Sequence, residues 1–118
     1  MFKKIVWFVV LMIALSVPCY SAEWSHGSGN KTADALIFAE EGSFHGIALV
    51  ADGTNAITVS IYDNTTNSGK LLVPTFIVPG TATAGYSLSI SPPVRFNNGV
   101  YVDITCSGDT NYVVYYGR

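Results

Sequence analysis

Short runs of alternating apolar and polar residues, separated by turn-forming residues, dominate the chain after residue 22. Ile57, Val59 and Ile61 alternate with polar or aromatic residues, which is typical of a strand with one buried face. Asn98-Gly99 lies between two such runs and favours a type I′ hairpin turn. Nothing after residue 22 has the period of a long helix. The sequence therefore predicts an all-β fold, a small antiparallel β-sandwich or jelly roll of seven or eight strands.

The remaining expected strands cover residues 36–39, 44–51, 71–78, 86–90 and 112–116. In the second of these, period-two alternation places four residues on one face: His45, Ile47, Leu49 and Ala51. Pro74 cannot donate a ladder hydrogen bond, so its strand is expected at a sheet edge or with a bulge. Ser91-Pro92-Pro93 is expected to end the strand at residue 90. Asp52, Asp63, Asp103 and Asp109 lie in or next to turns, where their carboxylates favour turn hydrogen bonds.

The first 22 residues read as a secretory signal peptide. Lys3 and Lys4 precede an apolar run over residues 5–17, and small residues follow it. That run is short for a membrane-spanning helix, which needs about 20 apolar residues. The expected division is a signal peptide at 1–22, a flexible N-terminal arm at 23–35 and a β-sandwich domain at 36–118. The expected location is secreted, or on an extracellular or periplasmic surface. The alternative is a membrane anchor or a virion, with membrane contact only if residues 5–20 stay uncleaved.

The charge balance argues against nucleic acid as a partner. Without Lys3 and Lys4, four basic side chains remain against eight acidic ones, a net charge of −4. The four basic residues are scattered, and no basic cluster exists to neutralise phosphates.

Cysteine use is unusual for a small exported domain, because cleavage would remove Cys19 and leave Cys106 alone. Cys106 then either packs as a small apolar side chain or forms an intermolecular disulfide.

No chemical motif points to an enzyme, a metal site or a cofactor. His26 and His45 are the two histidines, and neither has a second ligand at zinc spacing. Glu40 and Glu41 are adjacent, so on a strand they point to opposite faces and make a poor acid/base pair. The sequence therefore predicts a non-enzymatic protein without cofactors.

The aromatic residues are the main candidates for a binding surface. Tyr101, Tyr112, Tyr115 and Tyr116 cluster in the last two expected strands, and Trp24 lies in the arm. The last strand is partly apolar on both faces. Three interpretations stay open at this point: a subunit interface, stacking against a sugar, and ordinary core and rim packing.

Four segments resemble small β-sandwich proteins of phage and prophage structural modules, over roughly residues 44–116. They are Ile61-Tyr62-Asp63-Asn64, Leu71-Leu72-Val73-Pro74, residues 93–105 around Asn98-Gly99, and Tyr112-Val113-Val114-Tyr115-Tyr116. The resemblance implies a virion or surface-assembly component without a catalytic motif. The export leader departs from that pattern, because phage structural proteins usually assemble in the cytoplasm.

The expected function is that of an exported structural or assembly protein that self-associates, in a virion or a cell-surface filament. Its expected partners are copies of itself or other surface or virion proteins. The alternative is a carbohydrate- or surface-binding module that uses exposed Trp and Tyr side chains.

Overall fold

A computed structural model describes residues 25–118 and shows an all-β fold without a helix in that range. Two four-stranded antiparallel sheets form a sandwich. The signal peptide and Trp24 lie outside the described residues. The described part of the chain contains no helix of the length and apolar character that crossing a bilayer requires. The strands are β1 (His26–Gly27), β2 (Ala35–Phe38), β3 (Gly42–Val50), β4 (Ile57–Tyr62), β5 (Phe76–Val78), β6 (Tyr86–Phe96), β7 (Val100–Thr105) and β8 (Asn111–Gly117).

The strands pair from the two ends of the chain inwards. β1 pairs with β8, β2 with β7, β3 with β6 and β4 with β5, all antiparallel. Two further pairings, β3 with β8 and β4 with β7, join these hairpin-like pairs into sheets. Sheet A has the order β1-β8-β3-β6, and sheet B has the order β2-β7-β4-β5. The halves of the described chain are therefore interleaved in both sheets.

The core lies between the sheets and is built from the alternating strand positions. Ile57, Val59 and Ile61 of β4 are fully buried, as the period-two pattern predicts. Phe44, Ile47 and Leu49 face them from the other sheet, and further buried residues are Ala51, Leu72, Val73, Val78, Phe96, Val100, Val102, Tyr112 and Val114. Both sheets thus contribute one apolar face each, as a sandwich requires.

A bulge in β3 corrects the predicted face of this strand. Phe44 pairs with Tyr116 and Gly46 pairs with Tyr115, so β3 carries one extra residue, His45, against β8. The extra residue shifts the alternation, and Phe44 rather than His45 joins Ile47 in the core. Gly46 is required there, because a Cβ at this position would overlap the carbonyl oxygen of Leu88 on the neighbouring strand.

The prediction that Ser91-Pro92-Pro93 ends a strand is wrong. β6 continues to Phe96 through a cis Ser91–Pro92 peptide bond. The residues from Ile90 to Pro93 bulge out of the ladder, because Phe44 pairs with Val94 while Gly46 already pairs with Ser89. β6 is the edge strand of sheet A, where a proline can sit without breaking a second ladder.

Residues 26–31, within the expected flexible arm, run along β8. Lys31 and Tyr112 exchange two backbone hydrogen bonds of 2.8 and 2.9 Å, and Ser28 donates from its backbone to Val114. The Ser28 hydroxyl accepts a hydrogen bond from the Val114 backbone. These bonds cover the edge of β8, which would otherwise expose unpaired backbone groups. β1 is therefore the edge strand of sheet A, while Ala35, the last residue of the expected arm, already belongs to β2 of sheet B.

Asp63 follows β4 and holds the turn between β6 and β7. Its side chain is 4% exposed. Its two carboxylate oxygens accept hydrogen bonds from the backbone of Asn97 at 3.0 and 3.1 Å and of Asn98 at 2.8 Å. A buried carboxylate is tolerated where donors of this kind surround it. Asp63 thus ties the end of a sheet B strand to the crossing between the two sheets.

Replacing Asp63 should destabilise the fold, because both turn amides lose a charged acceptor. We expect Asp63→Ala to lower the free energy of unfolding by about 2–3 kcal/mol, measured by urea unfolding. The matched control is Asp109→Ala at an exposed turn carboxylate, which should change it by less than about 0.5 kcal/mol. Equal effects of the two substitutions would contradict the role given to Asp63.

Asp52 forms a second carboxylate-held turn between β3 and β4. One oxygen accepts backbone hydrogen bonds from Thr54 and Asn55, both 2.8 Å, and the other accepts from the Asn55 side chain at 2.7 Å. The backbone and side-chain hydrogen bonds of Asn55, followed by that of Thr54, lower the pKa of Asp52 from 3.8 to about 2. They stabilise the charged carboxylate, although it is exposed to solvent.

This lowered pKa makes the turn sensitive to acid. The folded state binds the Asp52 proton more weakly than the unfolded state, so the stabilisation is present above pH 3.8 and is lost as pH falls towards about 2. We expect Asp52→Asn to unfold at a lower urea concentration than the native chain at pH 6. At pH 2 the gap between the two midpoints should be clearly smaller. A gap that does not narrow would show that the charge of Asp52 is irrelevant to stability.

Candidate functional site

The tyrosines predicted as binding residues fall on different sides of the sandwich. Tyr112 is 1% exposed, and its hydroxyl donates a 2.6 Å hydrogen bond to the carbonyl of Ala33. Burial, the nearby charge of Asp34 and Tyr101 raise its pKa above the ordinary value. A tyrosine buried and bonded in this way offers no ring face to a partner.

Tyr116 also points to the inner side of sheet A, near the end of the sandwich. Its ring stacks on Phe38 of sheet B, with 5.1 Å between centroids, and lies 5.8 Å from the ring of His26. Arg118 places its guanidinium 6.0 Å from the Phe38 ring. Tyr116 therefore closes one end of the core between the two sheets.

Tyr115 lies on the outer face of sheet A, where small residues surround it. Its cross-strand neighbours are Gly27 on β1 and Gly46 on β3. Tyr115 is 41% exposed, and neither of these two neighbours has a side chain to pack against its ring. Around Tyr115, the outer face of sheet A therefore offers only a small apolar contact area.

The outer face of sheet B carries a longer apolar surface. Leu36 pairs with Tyr101, Tyr101 pairs with Tyr62, and Tyr62 bridges to Leu71. Residues paired in this way project from the same face of a sheet about 5 Å apart. The four side chains therefore form a continuous line across sheet B, which we call the apolar row. Leu36 and Leu71, at its two ends, are 43% and 38% exposed, and both tyrosines are half-buried.

Polar residues flank the apolar row on one side. Asp103 pairs with Ser60, whose hydroxyl lies 2.9 Å from that of Thr75. Two residues before Ser60 on β4, Thr58 pairs with Ile77 of β5, and Ile77 is 66% exposed. The face therefore combines an aromatic and aliphatic line with a bordering line of hydroxyls and one carboxylate.

The histidines and the cysteine lie away from the apolar row. The Nε2 of His45 is 3.0 Å from the hydroxyl of Ser43 on β3. Cys106 follows β7, is half-buried, and has its sulfur 3.9 Å from the carbonyl of Asn55. Among residues 25–118, no three His, Cys, Asp or Glu side chains come together as metal ligands would.

Reasoning from the sequence selected Tyr101 and missed Leu36, Tyr62 and Leu71. The alternation in β4 already turned Tyr62 outward, because Ile61 is a core position. The sequence gives no sign that these four side chains lie in one line, because their alignment depends on the register between strands that are far apart in the chain.

Comparison with known proteins identifies no relative. No family model matches the chain, and no match was found among the curated proteins or the solved structures. The resemblance to phage and prophage structural proteins therefore stays a prediction.

Proposed function

We propose that this chain is an exported, non-enzymatic structural or surface-assembly protein that associates with copies of itself through the apolar row. The observation that carries the proposal is the concentration of exposed apolar residues on sheet B. Three of the six large apolar side chains with substantial exposure, Leu36, Leu71 and Ile77, lie on this outer face. Single exposed apolar residues are ordinary, whereas a continuous line of them favours an interface.

The order of residues in the apolar row suits a second copy of the same chain. Reading across the sheet, the row is Leu36, Tyr101, Tyr62, Leu71, which has the same residue types in either direction. A two-fold axis parallel to the strands would set Leu36 against the partner's Leu71, and Tyr101 against the partner's Tyr62. An isologous interface needs this self-complementarity.

The charges on the face are compatible with that arrangement. The same axis would place Asp103 opposite the hydroxyl of the partner's Ser60, so the two Asp103 carboxylates do not face each other. Thr105 would face the partner's Thr58. Charged groups are depleted at the centre of protein interfaces and hydroxyls are tolerated at their border.

The strand order supports a structural or binding role by analogy with other proteins that share it. Pairing of the strands from both ends inwards, divided over two four-stranded sheets, is the arrangement of a jelly roll. Jelly rolls occur in viral capsid and lectin domains, which is an analogy of fold and not of site. The basic and apolar leader favours delivery outside the cytoplasm, to a cell surface or a surface assembly.

The test is the mass of the exported protein in solution, measured by size-exclusion chromatography with light scattering. We expect a concentration-dependent mass of about two chains, and a single-chain mass for Tyr101→Glu, because the new carboxylate would be buried without a partner. Circular dichroism should show the same strand content for both proteins.

Tyr115→Glu is the matched control, since Tyr115 is an exposed tyrosine on the opposite outer face. It should leave the association unchanged. A protein that stays a single chain at millimolar concentration would contradict the proposal. Loss of association in Tyr115→Glu alone would move the interface to sheet A.

Carbohydrate binding is the second candidate, and the polar line beside Tyr62 and Tyr101 favours it. Aromatic rings with adjacent hydroxyls and a carboxylate, here Ser60 and Asp103, can stack on a sugar ring and bind its hydroxyl groups. On a glycan array, we expect any binding to be lost in Tyr101→Ala and retained in Tyr115→Ala. An array without signal, or one that Tyr101→Ala does not change, would remove this candidate.

A further inference from the structure

The edge strand β6 of sheet A is open to pairing with another strand. Among residues 25–118, β6 pairs with β3 on one side and with no strand on the other. It carries no charged side chain from Tyr86 to Val94, and its first proline is Pro92. Sheet edges are usually protected by a lysine, a proline or a bulge, because their open backbone groups accept another strand. Residues 86–89, which pair one to one with β3, have none of these.

An apolar groove runs beside this part of β6, between the edges of the two sheets. β6 is eleven residues long, whereas β5, the edge strand of sheet B, has three. The ring of Phe76 on β5 stacks on that of Tyr86, with 6.0 Å between centroids. Leu88 and Ile90 are half-buried and line a groove of about 310 Å³, which has no charged residue in its lining. A strand added to β6 would place apolar side chains in this groove.

The backbone groups that face the free edge are those of Ser87 and Ser89. The carbonyl oxygen of Leu88 points towards β3, because it lies against Gly46 of that strand. Successive carbonyl groups of a strand point to opposite sides, so those of Ser87 and Ser89 point away from β3. In an antiparallel ladder, the N–H of a residue lies on the same side as its carbonyl. An added strand can therefore exchange hydrogen bonds with these two serines.

We propose that β6 pairs antiparallel with β6 of a second copy, around a two-fold axis that is perpendicular to sheet A and passes beside Leu88. Ser87 then lies opposite the partner's Ser89, and the two exchange both backbone hydrogen bonds. On the inner side, Leu88 faces the partner's Leu88 and Tyr86 faces the partner's Ile90. Apolar side chains thus meet in the groove, and serines meet on the outer side of the sheet.

The residue pattern of β6 is what selects a second copy as the partner. One step from Leu88 in either direction lies a serine, and two steps away lies a large apolar residue. The segment therefore matches itself when it runs antiparallel, as an isologous contact requires. An axis at Ser89 would set Tyr86 against the partner's Pro92, and an axis at Ser87 would set Ile90 against the partner's Ala84. Leu88 is the centre that matches all three large apolar residues with one another.

This pairing rests on the proposed association through the apolar row and extends it to larger assemblies. The apolar row lies on the outer face of sheet B and β6 at the edge of sheet A, so one chain can use both contacts at once. A single two-fold contact ends at two chains, whereas two different ones let each pair add another pair. The edge contact is a short ladder, and short ladders alone are weak. Pairs therefore form first through the apolar row and join through β6 at higher concentration.

Disulfide formation between two single-cysteine proteins tests the register. Both are the full chain with Cys19→Ser and Cys106→Ser; one adds Ser87→Cys, and the other adds Ser89→Cys and a ¹⁵N label that gives the mixed pair its own mass. Directly opposed Cβ atoms lie about 5 Å apart and diagonal ones about 7–8 Å, while a disulfide needs about 3.5–4.5 Å. With diamide as oxidant, we expect the mixed pair to form about fivefold faster than either pair of like chains. Equal rates, or faster linking of like chains, would overturn the proposed pairing.

Ser89→Pro tests whether β6 is the contact through which pairs join. Proline removes the N–H that faces the free edge, a position at which an edge strand tolerates it. In light scattering at rising concentration, we expect the native chain to exceed the mass of two chains and Ser89→Pro to stop there. Ser89→Lys, which keeps the N–H and adds a charge to the edge, should also stop at two chains. Ser89→Thr is the matched control and should grow like the native chain, and circular dichroism should show the same strand content for all four proteins.

The edge contact and the apolar row fail in different ways. If β6 pairs and the apolar row does not, the mixed disulfide forms and Tyr101→Glu leaves the mass unchanged. If the apolar row associates and β6 does not, the mass stops at two chains at every concentration and the mixed disulfide has no advantage. The second result would overturn the proposal, and so would growth that Ser89→Pro and Ser89→Lys both leave unchanged.

Discussion

The buried carboxylate of Asp63 is the constraint on which the central register depends. A charge at 4% exposure is costly unless donors surround it, and here the donors are the backbone amides of Asn97 and Asn98. The turn they belong to carries the chain from sheet A to sheet B. Asp63 follows Tyr62 directly, so the same contact sets where Tyr62 stands against Tyr101. The hydrogen bonds between Asp63 and the backbone of Asn97 and Asn98 thus help to fix the register of the two tyrosines in the apolar row.

The sequence predicted the elements whose cause is local. β4 has the expected bounds and faces, because alternation of Ile57, Val59 and Ile61 with polar residues specifies a half-buried strand. The hairpin predicted at Asn98-Gly99 is wrong: a turn lies there, but it leads from β6 in sheet A to β7 in sheet B, which do not pair, and Asn98 lacks the positive φ of a type I′ turn. β4 follows from side chains within a few residues of each other, whereas the turn at Asn98-Gly99 is shaped by its hydrogen bonds to the distant Asp63. The two-sheet all-β architecture follows from the repetition of such segments.

Predictions failed where a distant strand decides the outcome. His45 was expected on the same face as Ile47 and Leu49, but the ladder between β3 and β8 contains a bulge that places Phe44 on that face instead. The proline pair at 92–93 was expected to end β6, although an edge position lets the strand continue past it. The positions of the tyrosines also depend on distant strands. Their residue type marked them as binding candidates, while register and strand order decide that Tyr112 is buried and Tyr101 is outward.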